Sequence, residues 1–457
     1  MKQHLPSIFK AYDIRGIVGT QLTNEIINEI GKVLGTMTLE SGIQELVVGY
    51  DGRLTSPELS EYLIDGILSS GCDVYNIGQV TTPMVYFANF ELKTYSGIMI
   101  TGSHNPPEYN GLKMVINKET LAADKITEIQ KRITNKNYIH NQQGMENKIT
   151  IKEKYLKAIT SDVKLSRNVK IVVDSGNGVA GDIAPILYRR MGARVLGLNC
   201  EVNGNFPNHH PDPSKPENLA ELIKAVATTN SEFGLAFDGD GDRLGVVTND
   251  GNIIYPDRQL MLFAASVLDK HPNSKILYDV KSTRLLDGWI KEHNGQPIMC
   301  RTGHSFIKQE IQKTGALLAG EMSGHIFFKD RWYGCDDGVY AGARLLELLS
   351  QVDNPSELLN ALPCTVSTPE LNLTVNDGNP HKIIQKLQKN LNFKDALNII
   401  TIDGIRVEYQ DGFGLVRASN TTPVLVLRFE ADNETGLKRI KHEFHAMLKK
   451  YVADVNF

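Results

Sequence analysis

Three times in the first three quarters of the chain an apolar run ends in aspartate: Val47–Asp51, Ile171–Asp174 and Ile276–Asp279. Each is followed by a polar loop, a helical stretch, a glycine and a second apolar run. The helices are expected near Pro57–Leu68, Ile183–Met191 and Leu285–His293, with Ser56 as N-cap of the first and Pro57 at its first position. Strand, helix and strand in that order build right-handed βαβ units with parallel strands. Later in each unit another apolar strand runs into an unusual loop. Gly97–Thr101 leads into Gly-Ser-His-Asn-Pro, Leu235–Phe237 into an Asp-Gly loop, and Leu317–Ala319 into Gly-Glu-Met-Ser-Gly-His. Open α/β sheets gather ligands at the carboxyl ends of their strands. Three such loops at matching positions therefore point to one composite site shared by three related domains.

The last quarter follows a different plan. Thr365–Val375 and Leu415–Glu430 read as strands, with helices near His381–Leu391 and Glu434–Tyr451, which describes a separate α+β domain. The expected division is 1–150, 151–252, 253–366 and 367–457. With a net charge of −4 over 457 residues, nothing global draws the chain to nucleic acid or anionic membrane. No apolar stretch reaches the length of a membrane span, and no secretory leader is expected. The cysteines (Cys72, Cys200, Cys300, Cys335, Cys364) are odd in number and scattered, so a reducing cytoplasm is the expected compartment.

Residues 238–243 read Asp-Gly-Asp-Gly-Asp-Arg between two apolar runs, Phe233–Phe237 and Leu244–Val247. A tight turn there brings Asp238, Asp240 and Asp242 around one point, where their mutual repulsion calls for a hard divalent cation. A solvated acidic turn is the bland alternative. An EF-hand is excluded, because its sixth and twelfth positions fall on Arg243 and Asn249. Mg²⁺ suits a small oxygen site that shares phosphate oxygens, with Arg243 as an anion partner.

Ser103 stands at a strand end, followed by His104 and two prolines. Turn chemistry accounts for such residues singly and less well for the combination. The Gly-x-Ser-x-Gly elbow of α/β-hydrolases is absent, so Ser103 is a candidate phosphate carrier rather than an acyl nucleophile. Lys113 is placed to balance phosphate charge or move a proton, unless it is an ordinary surface lysine. Glu321, Ser323 and His325 suit sugar hydroxyls, and Arg417 with Ser419, Asn420 and Thr421 suits a phosphate. Each loop also reads as a plain polar turn. Gly176-Asn-Gly178-Val-Ala-Gly181 matches the dinucleotide fingerprint, with Glu201 downstream. Asp174 argues against that reading, since its carboxylate would face a pyrophosphate; an NAD-linked dehydrogenase stays as the alternative.

Taken together, these loops resemble the α-D-phosphohexomutase superfamily, in its bacterial phosphomannomutase/phosphoglucomutase branch. The resemblance runs from Phe9-Lys-Ala-Tyr-Asp-Ile-Arg-Gly16 through Arg417–Pro423. It implies three topologically related mixed α/β domains and a C-terminal α+β domain of TATA-binding-protein type. It implies reversible interconversion of hexose 6- and 1-phosphates, of mannose and also glucose, through a phosphoserine and a hexose 1,6-bisphosphate that also serves as activator. Ser103 would carry the phosphoryl group and share Mg²⁺ with Asp238, Asp240 and Asp242. Arg15, His104, Lys113 and Arg243 would surround the reacting phosphate, with His304 as a further active-site group. Tyr12, Lys281, Glu321, Ser323 and His325 would contact the sugar phosphate, and Arg417, Ser419, Asn420 and Thr421 the phosphate not being transferred. The fourth domain would close on substrate. Met322 favours mannose and glucose over glucosamine, whose enzymes typically carry Gln there. The intact loops leave little room for an inactive sugar-phosphate-binding protein. Sugar phosphates are thus the expected partners, without nucleic acid or membrane; the oligomeric state is open, with a monomer expected.

Overall fold

The computed structural model describes residues 8–375, 379–419, 423–452 and 455–457. Three of its sheets repeat one arrangement. In each, the strand that leads to the aspartate lies between two parallel neighbours, and an antiparallel strand follows on one side. In the first sheet Glu45–Tyr50 pairs in parallel with Asp73–Gln79 and Gly97–Ile100, and the latter pairs antiparallel with Tyr109–Ile116. In the second, Lys170–Asp174 lies between Arg194–Leu198 and Phe233–Phe237, with Leu244–Thr248 antiparallel beyond. In the third, Lys275–Asp279 lies between Gln296–Cys300 and Leu318–Gly320, with Ile326–Phe328 antiparallel beyond. Strands such as Phe233–Phe237 are buried throughout, as expected of parallel strands covered on both faces.

The fourth sheet is antiparallel throughout. Val424–Ala431 pairs with Gly412–Ala418, which leads on to Ile405–Tyr409 and Asn398–Ile400. Helices Pro380–Gln388 and Glu434–Leu448 pack on one side. The expected strand Thr365–Val375 is two short pieces, Val366–Ser367 and Leu371–Thr374, because Pro369 between them offers no backbone N–H.

One helix expectation needs correction. Ser56 is inside helix Ser56–Leu68, not its cap; Thr55 is the cap residue, and the Ser56 hydroxyl donates to Asp51 Oδ1 at 2.6 Å. The helix expected near Ile183–Met191 is present as Ala184–Arg190, entered through a 3₁₀ turn at Val179–Asp182.

One helix bridges two sheets. Gly338–Leu349 follows the third sheet and packs both on its strand Ile326–Phe328 and on strands Phe233–Phe237 and Leu244–Thr248 of the second. Its N-cap, Asp337, accepts from the Tyr340 backbone N–H at 2.8 Å, from Tyr155 Oη at 2.8 Å and from Trp332 Nε1 at 3.1 Å. Tyr188 Oη donates to the Val339 carbonyl at 2.9 Å. A single apolar core therefore runs from the Val85–Phe87 region through Leu187 and Leu235 to Leu345. That shared core holds the carboxyl ends of the sheets in fixed relation.

Burial pushes the Asp337 carboxyl up to about 7 against these three donors. A carboxyl raised in the folded state contributes stability at low pH that is lost as pH rises through the folded value. Wild type should therefore lose stability relative to Asp337→Asn between about pH 4, the ordinary aspartate value, and about pH 7. Urea midpoints measured across that range check it; parallel curves for the two proteins would refute it.

Candidate active site

The strand-terminal aspartates hold the loops. Asp51 accepts from Thr101 Oγ1 at 2.7 Å and from the Gly102 N–H at 3.2 Å. Asp279 accepts from Ser282 Oγ at 2.8 Å, Thr302 Oγ1 at 2.9 Å and the Met322 N–H at 3.2 Å. Asp174 accepts from the Gly176 N–H at 2.9 Å and pairs with His209 Nε2 at 3.0 Å. A fixed acceptor at a strand end gathers the donors of nearby loops; Asp51 thereby reaches the Ser103 loop and Asp279 the Glu321 loop, whereas Asp174 holds the Gly176 turn and His209 rather than the Asp238–Asp242 loop.

Ser103 is buried with φ +49°, a left-handed conformation that few side chains adopt. The sequence gives no direct sign of what holds it there: Arg53. This buried guanidinium donates to the carbonyls of Ser103 (2.8 Å), Asn105 (2.6 Å), Pro106 (2.6 Å) and Tyr109 (3.0 Å), with Asp51 3.3 Å from its Nε. A Cβ at Gly102 would stand 2.5 Å from the guanidinium carbon, so only glycine admits Arg53. The Ser103 hydroxyl then lies 3.1 Å from Asp238 Oδ2 and 3.2 Å from His104 Nδ1.

Asp238, Asp240 and Asp242 have no exposed surface, and their ligand oxygens lie within 4.8 Å of one another. Lys113 Nζ bridges Asp240 Oδ2 (2.6 Å) and Asp242 Oδ2 (2.5 Å), while Thr82 Oγ1 donates to Asp240 Oδ2 at 2.5 Å. Against burial, Asp240 and Asp242 hold the Lys113 ammonium above its ordinary range. A proton held that firmly favours charge balance at Lys113 over proton transfer. Burial and the Asp240 charge push Asp238 well above the carboxylate range; against the same burial, Lys113 and His325 hold Asp242 well below it. Asp240 Oδ1 is buried without a hydrogen-bond partner, and Asp242 Oδ1 has only the His325 imidazole, 3.3 Å away. Hard oxygens, surplus negative charge and an unsatisfied carboxylate oxygen fit a divalent cation.

Of the remaining candidates, Arg243 and His325 adjoin this loop directly, Glu321, Ser323 and His304 through His325, while Arg15 meets the Ser103 loop and Lys281, Arg417 and Ser419 have their contacts elsewhere. Arg243 Nε is 3.6 Å from Asp238 and its Nη1 3.8 Å from Asp212; an antiparallel bridge to His325 joins the metal loop to the Glu321 loop. His325 stands 3.3 Å from Asp242, 3.2 Å from Glu321 and 2.9 Å from Ser323 Oγ. Against burial, Asp242 and Glu321 raise the His325 imidazole to about 9. Glu321 also accepts from the Gly303 N–H at 2.6 Å. His304 stacks on His325 with centroids 5.6 Å apart and meets the edge of Tyr12 at 5.9 Å. Arg15 pairs with Asp13 at 2.5 Å and donates to Asn105. From the fourth domain, Arg417 Nε donates to Asp403 at 2.9 Å, and Asp403 also accepts from the Thr302 N–H at 3.0 Å. Lys281 donates to Glu370 at 3.0 Å. The Ser419 N–H donates to the Val424 carbonyl at 3.0 Å; Asn420 and Thr421 lie outside the described residues.

The glycine fingerprint has a packing role. Val179 donates its N–H to the Gly239 carbonyl at 3.1 Å, and a Cβ on Gly178 would stand 2.9 Å from the Gly239 Cα. At Gly239 a Cβ would in turn meet the Ser103 carbonyl at 2.4 Å. The loop that resembles a pyrophosphate cradle is filled by the metal loop.

Four profiles of one family match in chain order. They are described as phosphoglucomutase/phosphomannomutase alpha/beta/alpha domains I, II and III and C-terminal domain, over residues 6–140, 153–251, 255–365 and 370–447. The chain belongs to the phosphoglucomutase/phosphomannomutase family. It is 56% identical to a phosphoglucomutase of Neisseria gonorrhoeae over 97% of this chain and 96% of that one. A phosphomannomutase/phosphoglucomutase of Pseudomonas aeruginosa is 53% identical over the same shares. A crystal structure of a family protein from Burkholderia thailandensis superposes with a TM-score of 0.93 at 50% identity, covering 97% of both chains. The chain is thus a mutase of the isomerase class, and no helix among the described residues is long and apolar enough to cross a membrane.

Two outcomes follow for this family member. Arg53→Lys keeps the charge but loses the fork, leaving buried carbonyls unpaired at a cost of about 3 kcal/mol. Urea unfolding should show that loss, with turnover falling at least about 100-fold as Ser103 leaves its place. NADH titrated against the protein should give no saturable fluorescence change; micromolar binding would reopen the dehydrogenase reading.

Proposed function

We propose that the chain interconverts hexose 6-phosphates and hexose 1-phosphates, with mannose and also glucose as the sugar, through a phosphorylated Ser103 and a hexose 1,6-bisphosphate. The observation that carries this reading is Ser103 itself. Its hydroxyl is presented from a left-handed turn, 3.1 Å from Asp238, beside a carboxylate cluster that Lys113 and Arg243 flank. A serine activated for acyl transfer would need a base and an oxyanion hole; a serine beside metal-type carboxylates and cations suits phosphate.

The sugar hydroxyl attacks phosphorus, its proton leaves to a base, and the bond from phosphorus to Ser103 Oγ breaks. The bisphosphate turns end for end, and its other phosphate returns to Ser103. Arg15, His104, Lys113 and Arg243 supply positive charge and donors around the moving phosphoryl group, where charge neutralisation and alignment lower the barrier. Tyr12, Glu321, Ser323 and His325 orient the sugar, and Lys281 contacts the substrate. Arg417 and Ser419, with Asn420 and Thr421 from the same loop, hold the phosphate at rest. Mg²⁺, held by Asp238, Asp240, Asp242 and an oxygen on Ser103, would neutralise phosphate charge. The bisphosphate serves as activator by restoring phosphoserine. Met322 supports mannose and glucose over glucosamine. Free thiols at all five cysteines support a cytoplasmic setting. A four-domain division at 150, 252 and 366 and a monomeric state complete the proposal.

A coupled assay with Mg²⁺ and bisphosphate should detect both sugars; no turnover with either would sink the reading. Peptide mapping should locate phosphate at Ser103, discharged by hexose monophosphate and restored by the bisphosphate. Ser103→Ala should lose turnover on the order of 10⁴-fold or more while keeping its unfolding midpoint. Arg417→Ala should raise KM by roughly 10- to 100-fold, since a charge-assisted phosphate contact is lost. Chelation should abolish turnover and added Mg²⁺ restore it.

A further inference from the structure

His304 opens helix His304–Thr314, and Lys308 follows four residues later, so helical spacing stacks the two side chains. Lys308 is 4% exposed, an unusual place for an ammonium group. Three acceptors surround its Nζ: Asp336 Oδ1 at 2.8 Å, Tyr86 Oη at 2.9 Å and His304 Nδ1 at 3.2 Å. An ammonium has three protons, and this geometry uses each once. Nδ1 must then accept. The imidazole carries its proton on Nε2, the nitrogen turned away from Lys308, and no protein partner for Nε2 occurs among the described residues.

The surroundings agree with that assignment. Burial, with the Lys308 and Lys113 charges, pushes His304 well below the ordinary imidazole range. The positive end of its own helix opposes a charged ring as well. Asp336 Oδ2 lies 3.5 Å from Nδ1 and has no hydrogen-bond partner, so an alternative acceptor for an Nδ1 proton is within reach. Lys308 keeps the ring from using it. The other groups facing the ring are His325, stacked at 5.6 Å, and Tyr12, edge-on at 5.9 Å; the Asp242 charge acts from behind.

We propose that Lys308 is a positioning residue that fixes His304 as the neutral Nε2–H tautomer, so that His304 presents a hydrogen-bond donor to an oxygen of the sugar phosphate. The second clause rests on the mutase reading given above; the tautomer does not. Lys308 touches no substrate. It acts through His304, and Tyr86 and Asp336 hold it in place; Asp336 also lies near His325 and Asp242, with side-chain ligand atoms of the three within 4.8 Å of one another.

The test uses the full chain labelled with ¹⁵N-histidine at about pH 8, where neutral imidazoles report their tautomer in long-range ¹H–¹⁵N correlations. His304→Gln assigns the signal. Wild type should show His304 as Nε2–H. Lys308→Met removes the donor, and the free Asp336 oxygen should then draw the proton to Nδ1 in about half the molecules or more. In the same variant kcat should fall at least about tenfold with KM within about twofold, the pattern of an interaction made in the transition state. Lys308→Gln retains an N–H donor and should restore the tautomer and most of kcat. A wild-type His304 protonated mainly at Nδ1 overturns the proposal, as does a Lys308→Met spectrum unchanged from wild type. Should Lys308→Met fail to fold, the wild-type and Lys308→Gln spectra decide it. Absence of mutase turnover in wild type would fall on the functional reading and leave the tautomer measurement standing.

Discussion

Asp238, Asp240 and Asp242 share one small volume with no exposed surface, and the surrounding structure answers that concentration of negative charge. Carboxylates so close cannot all ionise without cations nearby. Lys113 comes from the strand beside the Ser103 loop, Arg243 from the end of the metal loop, and His325 from the third domain. Lys113 and His325 are thus links between elements distant in sequence. The cluster draws the first three domains together at the carboxyl ends of their sheets. The carbonyl of Ser103 lies so close to Gly239 that no side chain fits between them, and the Ser103 loop and the Asp238–Asp242 loop pack backbone against backbone. Any phosphate that enters meets an electrostatic field already set by this cluster.

What the sequence revealed was what local pattern encodes. Apolar runs ending in Asp51, Asp174 and Asp279 marked the three sheets, and the loops carrying Ser103, Asp238–Asp242 and Glu321–His325 stood at matching strand ends. The contributions that stayed hidden act at long range. Arg53 reads as one more polar residue after a strand until the fold brings four carbonyls of residues 103–109 around it. Thr82 and Asp336 carry no motif of their own. Ser56 was legible as a helix start, yet its hydroxyl serves Asp51 rather than the helix, because a buried carboxylate outcompetes a helix terminus for it. Helix Gly338–Leu349 has the periodicity of any amphipathic helix, and periodicity does not say which sheet it covers.

Gly176–Gly181 shows how one spacing serves two purposes. Glycines at such intervals let a backbone approach something closely, and in a nucleotide-binding loop that partner is a pyrophosphate. Here the partner is another backbone: the Gly239 carbonyl takes the Val179 N–H that would otherwise meet an anion. Asp174 is the feature that separates the cases. Its carboxylate binds the Gly176 N–H and His209, closing the loop onto protein. A charged acceptor placed before the glycines was the one residue in the motif incompatible with a phosphate.

The fourth domain is attached by a different physics. Arg406 Nη1 donates to the carbonyls of Val280 and Ser282 at 2.6 Å each, Arg428 Nη1 to that of Lys281 at 2.7 Å, and Arg428 Nη2 to Asp257 at 3.1 Å. Glu430 accepts from Thr283 Oγ1 at 2.8 Å and from the Arg284 N–H at 3.2 Å. The apolar part of this joint is small, Val280 against Phe413 and Leu415. Directional bonds to main-chain atoms set an orientation, while little buried apolar area holds it against opening. Arg406 Nη2, Arg428 Nε and Glu430 Oε2 are buried in the joint without a partner, so its polar groups are incompletely satisfied. Such a contact differs from the continuous core joining the first three domains. It suits the closing and opening proposed for the domain that carries Arg417. The joint is also built on residues 280–284, the loop that presents Lys281. The loop that presents Lys281 and the domain that carries Arg417 are therefore mechanically coupled.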